Sequence, residues 1–192
     1  MCSQGAGEQH KKPSLGGRVE YVFMAGLSKN LALLLLGFWL GCAVLFALII
    51  TPTLFNPEVA SGLSKEMAGA IAGAILRRIY LITYVCIGLA AVFLFIAFLG
   101  EARAGKGLRY ALGLCILVLA LNAVSHLWIL DKIYKIKLEI NNSLGPDSVA
   151  LSEKFKWWHK TSTIVYGSAV VCGALGAIAL LLPGGKTKKF SR

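Results

Sequence analysis

Charged residues are scarce in this sequence. They make up 15% of its 192 residues, whereas soluble domains average about 25%. Acidic residues are the rarer kind, with 9 Asp and Glu against 20 Lys and Arg. No charged residue occurs in four apolar runs, which are residues 31–51, 79–99, 110–130 and 164–182. This composition argues against a soluble globular protein, because a run of about 20 apolar residues is long enough to cross a bilayer.

Sequence signatures of catalysis are also lacking. The chain has no phosphate-binding glycine loop, no metal-binding histidine pair and no carboxylate inside any apolar run. The last absence argues against a proton-coupled pump, which usually keeps an Asp or Glu within the bilayer. We therefore expect neither an enzyme nor a cofactor. A membrane enzyme with His126 or His159 as general base ranks third among the alternatives, since neither a nucleophile nor a metal set accompanies these histidines.

Sulfur-containing residues are few and scattered. Cys42, Cys86, Cys115 and Cys172 lie one in each run, and Cys2 is near the terminus. This pattern is typical of buried thiols that behave as small hydrophobic side chains. A copper site needs clustered Met, His or Cys ligands, and all 3 methionines lie outside the four runs. We expect no metal site.

The four runs predict an all-α fold, an integral membrane four-helix bundle. The first run is longer than the roughly 7–15 apolar residues of a signal peptide, so we expect it to be retained as a span. The predicted organisation is a tail and juxtamembrane segment at 1–30, a transmembrane domain at 31–182 and a basic tail at 183–192. The net charge of +11 lies almost wholly outside the spans, which indicates contact with anionic membrane surfaces rather than nucleic acid.

The connection between the first two spans contains more than a loop. Pro52 is expected to end the first helix, because proline disfavours helical geometry in the residue before it. Asn56 and Ser64 are candidate helix starts. Residues 67–76 are apolar and small but too few to cross a bilayer. They predict an interfacial or re-entrant helix before the second span, continuous with it or hinged to it.

The connection between the third and fourth spans is predicted to be largely helical. The isoleucines of residues 131–140 recur at helical spacing, so the third span should continue past the membrane surface as an amphipathic helix. Residues 141–146 predict a turn, and a new helix should start at Asp147 or Ser148 and run into the fourth span. Small residues at four-residue spacing predict close helix packing within the bundle. They are Gly37, Gly41, Ala169, Gly173 and Ala177.

Three polar residues interrupt the third apolar run on one helical face: Asn122, Ser125 and His126. By the rise of an α-helix, Asn122 lies about 13 Å from the first charge at Asp131. That position is deep in a hydrocarbon layer about 30 Å thick, so the amide needs a partner inside the bundle. An interhelical hydrogen bond is one explanation, and a polar cavity or pathway is the other.

The topology places more polar residues at this end of the bundle, because the first and third spans end, and the second and fourth begin, on one side of the membrane. The candidate polar layer consists of Asn122, Ser125, His126, His159, Ser162, Arg77 and Arg78, with Thr51 and Thr161 nearby. The arginines of such a layer are able to bind an anion or an anionic lipid headgroup, with a histidine as acceptor or proton carrier. Alternatively, the arginines and His159 merely extend to the headgroups.

Three segments resemble, in order and spacing, the four-span family of domain of unknown function 4149, which includes transmembrane protein 205. They are LLLLGFWLGCAVLFALIITPTLF, AGAIAGAILRRIY and FKWWHKTSTIVYG, and the likeness covers residues 31–182. The matching positions are Trp39, Gly41, Pro52, Phe55, Ala68, Gly69, Arg78, Tyr80, Phe155, His159 and Ser162. The resemblance implies a multi-pass membrane protein of uncharacterised activity, in which the aromatic and histidine element is structural or forms a site. A looser likeness to copper-resistance membrane proteins is weakened by the scattered cysteines.

The expected function is therefore binding or passage of a small polar or anionic species, or of a lipid headgroup, at the polar layer. The alternative is a non-catalytic accessory or structural subunit that docks a protein partner in the membrane. Copper handling, or another enzyme or transporter activity, ranks third. We expect the cell membrane as the location, the lipid bilayer as the main surrounding, and an anionic lipid or small solute as the ligand.

Overall fold

The computed structural model of the protein describes residues 15–59, 62–100, 105–142 and 147–182, and all of their regular secondary structure is helical. The α-helices are α1 (Leu15–Leu45), α2 (Thr51–Phe55), α3 (Lys65–Gly100), α4 (Lys106–Val124), α5 (Leu130–Asn142) and α6 (Asp147–Leu181). One-turn π-helices, Phe46–Ile50 and Ser125–Ile129, join α1 to α2 and α4 to α5 without a break. Three predicted features lie outside the described residues: the tail up to residue 14, Cys2 and the basic tail at 183–192. Of the turn predicted at 141–146, residues 143–146 also lie outside them, and residues 141 and 142 belong to α5 instead, contrary to prediction.

These helices form four spans, which confirms the predicted all-α membrane fold. The spans are Phe23–Phe55, Met67–Gly100, Lys106–Ile140 and Val149–Leu181, each long and apolar enough to cross a bilayer. They contain 33 to 35 residues. Each span is thus about 50 Å long at the rise of an α-helix, which exceeds a hydrocarbon layer of about 30 Å. As predicted, α5 extends the third span and α6 begins at Asp147.

The four spans pack in a closed ring that follows chain order. The first span contacts the second and the fourth, and the third span contacts the same two. The core where they meet contains Leu36, Trp39, Ile87, Leu94 and Val118, all at most 1% exposed. Many other large apolar side chains face outward, as expected for helices whose outer surface contacts lipid.

Small residues allow two close contacts between helices. Gly173 of α6 lies against the ring of Trp39, and a methyl group added at this glycine would overlap the ring. Gly107 of α4 lies equally close to the backbone of α6. Gly37 and Gly41 instead face outward, and a methyl group on either would meet no neighbour. The prediction that these two glycines pack inside the bundle is wrong.

The connection before the second span contains no separate helix within its described residues. Residues 67–76 are the N-terminal part of α3 and continue into the second span without a break. Ser64 starts this helix, as predicted, since its hydroxyl accepts a hydrogen bond from the Met67 amide at 3.2 Å, the usual role of a capping serine. Asn56 starts no helix, contrary to prediction. Its side chain accepts a hydrogen bond from the Glu58 amide at 3.0 Å and stabilises a turn.

The first helix does not end at Pro52, contrary to prediction, but continues to Phe55. In an α-helix, proline removes one backbone donor and its ring collides with the carbonyl four residues earlier. The wider π-helical turn directly precedes the proline, and the Thr51 hydroxyl donates to the Phe46 carbonyl at 3.0 Å. The extra residue in this turn accommodates the ring, so the helix passes the proline intact.

Candidate functional site

A buried tryptophan joins the first span to the second. Trp39 is 1% exposed, and its indole N–H donates to the Thr83 hydroxyl at 2.8 Å. That hydroxyl donates in turn to the Ile79 carbonyl one turn earlier, also at 2.8 Å. A buried indole needs such an acceptor, and Gly173 leaves the space for the ring. Together these contacts fix how α1 and α3 face each other.

Tyr80 is the centre of a buried hydroxyl cluster, which consists of Tyr80, Asn122, Ser125 and Ser162. The Tyr80 phenol and the Ser125 hydroxyl are 2.7 Å apart, and Ser162 of α6 interacts with the same phenol. The Asn122 amide donates to the Tyr80 carbonyl at 3.5 Å. All four residues are at most 8% exposed. One tyrosine thus joins the second, third and fourth spans, and the Asn122 amide has an interhelical partner.

A second tyrosine lies one turn further along α3 and contacts a histidine. The Tyr84 phenol and Nδ1 of His126 are 3.5 Å apart, at the long limit of a hydrogen bond. The His126 ring also packs beside the rings of Tyr80 and Tyr84, with centroids 5.3 and 5.9 Å away. Tyr84 and His126 are both half-buried. This Tyr84–His126 pair is therefore open to a further partner, unlike the hydroxyl cluster beside it.

The π-helical turn Ser125–Ile129 explains why two adjacent residues reach the same helix. Neighbouring side chains of an α-helix point about 100° apart, yet Ser125 and His126 both contact tyrosines of α3. A π-helical turn contains more residues per turn, which reduces this angle. Single π-helical turns of this kind occur frequently at functional sites.

The two arginines predicted for the polar layer lie in a groove between α3 and α5, with a volume of about 610 Å³. The lining of this basic groove is Gly69, Ala70, Gly73, Ala74, Arg77, Arg78, Leu81, Leu130, Ile133, Tyr134, Lys137 and Leu138. The Arg77 guanidinium lies over the Tyr134 ring, 5.9 Å from its centroid. Among the described residues, no carboxylate forms an ion pair with Arg77, Arg78 or Lys137. The groove combines three cations with a largely apolar lining.

The predicted polar layer is divided between two places. Its three buried members form the hydroxyl cluster with Tyr80, and its two arginines line the basic groove. His126 lies at the edge of the cluster. His159 belongs to neither place, because it is exposed and its ring stacks on Phe155 with centroids 6.1 Å apart. The two threonines placed near the layer donate to carbonyls of their own helices.

Several hydrogen-bonding residues are not evident from the sequence. The sequence points to Tyr80 only through the family resemblance, and it does not point to Thr83 or Tyr84. Nor does it indicate Tyr166, whose phenol donates to the Ala43 carbonyl at 3.3 Å and joins the fourth span to the first. The sequence contains one signal for the residues of the second span. The hydroxyl side chains of Tyr80, Thr83 and Tyr84 fall within about one helical turn of an otherwise apolar span.

The described ranges contain no group of three or more His, Cys, Asp or Glu side chains that could hold a metal ion. The four cysteines of the spans are free thiols. Cys86 and Cys115 are buried, and Cys42 and Cys172 are partly buried.

A family model described as a domain of unknown function (DUF4149) matches residues 34–142. The chain belongs to this family. No curated protein and no solved structure matches the chain. The further likeness to transmembrane protein 205 stays a prediction.

The DUF4149 match runs from within the first span to the end of α5. It includes the whole basic groove, the Tyr84–His126 pair and every member of the hydroxyl cluster except Ser162. The segment FKWWHKTSTIVYG of the fourth span lies beyond it. The groove and the pair thus lie within the part of the chain that the family model matches.

Proposed function

We propose that this DUF4149 protein, in the cell membrane, binds an anionic group in the basic groove, carried by a lipid headgroup or a small solute. The observation that carries the proposal is the lining, in which three cations lie beside an apolar surface and have no carboxylate partner among the described residues. Cations at a membrane surface attract anionic headgroups by about 1 kcal/mol each. Basic pockets between membrane helices are a known form of headgroup site.

The order of residues along the groove suits an amphiphilic ligand. Arg77 precedes Leu81 by one turn of α3, and Lys137 follows Leu130 by two turns of the third span. Arg77 and Lys137 therefore lie on the aqueous side of Leu81 and Leu130. An anionic headgroup with attached acyl chains has its charged and apolar parts in the matching order.

We propose binding without catalysis. His126 contacts two tyrosines, and no carboxylate orients it among the described residues. A histidine base normally has a nucleophile on one side and an orienting group on the other. The buried hydroxyls of Tyr80 and Ser125 bond to each other instead.

The proposal is tested by titrating purified protein, in nanodiscs of zwitterionic lipid, with an anionic lipid of the same chain length. Native mass spectrometry counts the bound anionic lipids. The triple variant Arg77→Gln, Arg78→Gln, Lys137→Gln is expected to bind on the order of 100-fold more weakly, because it lacks three attractions of about 1 kcal/mol each.

The matched control removes the same charge outside the groove, by Lys132→Gln, Lys135→Gln and Lys156→Gln. These lysines are exposed, and two of them form surface ion pairs. The control variant should bind as the wild type does, and an equal loss in both variants would refute a groove-specific site. Competition with inorganic phosphate separates the two ligand sources, since only a site for small anions would be emptied by it.

A second candidate, the role of accessory subunit, is favoured by the outward glycines of the first span. Gly37 and Gly41 are four residues apart and face away from the bundle, a spacing that lets another membrane helix approach closely. Replacing both glycines with leucine should abolish cross-linking to such a partner in native membranes. Lipid binding in the groove should be unchanged.

A further inference from the structure

We infer that the ligand of the basic groove is an ester-linked anionic glycerolipid taken from the bilayer, and that the Tyr84–His126 pair hydrogen-bonds to its ester region. This inference rests on the proposed function, because it names the ligand of the same groove. It adds a second polar contact, deeper in the membrane than the three cations.

The Tyr84–His126 pair continues the lining of the groove toward the hydrocarbon. Tyr84 follows the groove residue Leu81 by three positions, and His126 precedes the groove residue Leu130 by four. Such spacings place side chains on the same face of a helix. The two faces meet, because the Tyr84 phenol contacts the His126 ring. By the helical rise, the pair lies about 5 Å deeper than the two leucines.

From the three cations toward the hydrocarbon, the order is therefore Leu81 and Leu130, and then the hydrogen-bonding pair. A glycerolipid has a matching order, since its glycerol joins the phosphate to ester carbonyls on the membrane side. A free anion would engage the cations alone and leave the deeper pair unused. The groove is also open toward the lipid, because Leu81 is 51% exposed. A lipid is therefore able to enter sideways from the leaflet.

The pair has one donor left for an ester carbonyl, whichever way its own hydrogen bond runs. A neutral imidazole has one donor and one acceptor nitrogen. When the Tyr84 phenol donates to Nδ1 of His126, Nε2 carries the proton and is the free donor. When Nδ1 donates instead, the phenol hydroxyl is free. Tyr80 and Ser125 bond to each other at 2.7 Å in the buried cluster, so they are engaged already.

The test compares two anionic lipids with the same headgroup and chains, one with ester linkages and one with ether linkages. An ether oxygen is a poor acceptor, so wild-type protein in nanodiscs should bind the ester lipid about fivefold more tightly, the worth of one hydrogen bond. The double variant Tyr84→Phe, His126→Leu removes both donors and should lose this preference. Tyr110→Phe, at the opposite end of the third span, is the matched control and should keep it.

The possible outcomes distinguish a failure of the inference from a failure of the proposed function. Equal wild-type binding of both lipids would overturn the inference, and this comparison needs no variant that might misfold. A preference that persists in the double variant would overturn it too. Displacement of the lipid by equimolar inorganic phosphate would refute a lipid ligand. Undiminished binding of both lipids by the triple groove variant, or an equal loss in the charge-matched control, would overturn the proposed function itself.

Discussion

Trp39 fills the space that Gly173 leaves in α6, and its indole N–H is bonded to Thr83 of α3. One side chain therefore contacts two other spans. Within lipid, helix association lacks the hydrophobic driving force of water and depends on packing and on interhelical hydrogen bonds. Contacts of this kind should decide the stability of the bundle.

Gly173→Ala should lower the free energy of unfolding by about 1–3 kcal/mol, the usual cost of overpacking. The added methyl group would overlap the Trp39 ring. Reversible unfolding in mixed detergent micelles measures this change. Gly37→Ala is the control, because it gains the same helix propensity and its methyl group meets no neighbour. Equal stabilities of the two variants would contradict the proposed packing.

Tyr80→Phe should destabilise the bundle by about 0.6 kcal/mol and at most about 1.7, the range measured for hydrogen bonds between membrane helices. The change removes the phenol that bonds Ser125 at 2.7 Å. Combining it with Ser125→Ala in a double-mutant cycle should show a smaller loss than the sum of the single changes. Strict additivity would mean that the two hydroxyls do not interact.

The sequence predicts some members of the site and not others, for a chemical reason. Asn122, Ser125 and His126 are conspicuous because an amide, a hydroxyl and an imidazole are unusual in an uncharged span. Tyr80 and Tyr84 are not conspicuous, because tyrosine is an ordinary residue near membrane surfaces. Which tyrosine contacts which polar residue depends on the rotation of α3 about its own axis relative to the third span. A single sequence does not give this rotation.

The sequence indicates whole helices more directly than their limits. Hydropathy identifies the part of a helix that lies in lipid, so all four spans are found from their uncharged runs. Hydropathy alone does not show where α3 begins or that the third span continues through α5. Other signals predict these two limits, namely the capping residue Ser64 and the helical spacing of the isoleucines in residues 131–140. The end predicted at Pro52 is wrong for another reason, because the π-helical turn before the proline accommodates its ring.

Pro52→Ala should convert the turn Phe46–Ile50 toward regular α-helix, because alanine restores the missing backbone donor. Hydrogen exchange of the amides in and after this turn should become slower, and mass spectrometry of the peptides measures it. Pro57→Ala, in the turn that follows α2, is the control and should leave these rates unchanged. Unaltered exchange in Pro52→Ala would mean that the π-helical turn does not depend on the proline.

On the scale of the whole molecule, four crossings place both long connections on one side of the membrane. Single cysteines at Glu58 and Lys156 should react with an impermeant maleimide from the same side, and a cysteine at Lys106 from the opposite side. A Cys2→Ser background leaves only the cysteines of the spans. Labelling of all three positions from one side would rule out the four-span topology.

The helices that line the basic groove extend well past the hydrocarbon layer. Gly69 precedes Arg77 by eight residues on α3, so the groove continues for about 12 Å beyond that arginine on the aqueous side. A two-chained molecule held there would keep its fatty portion in the leaflet and its polar end at the three cations, recessed below this outer part of the groove. Proteins that diffuse along the surface would then reach this polar end only through the space between α3 and α5.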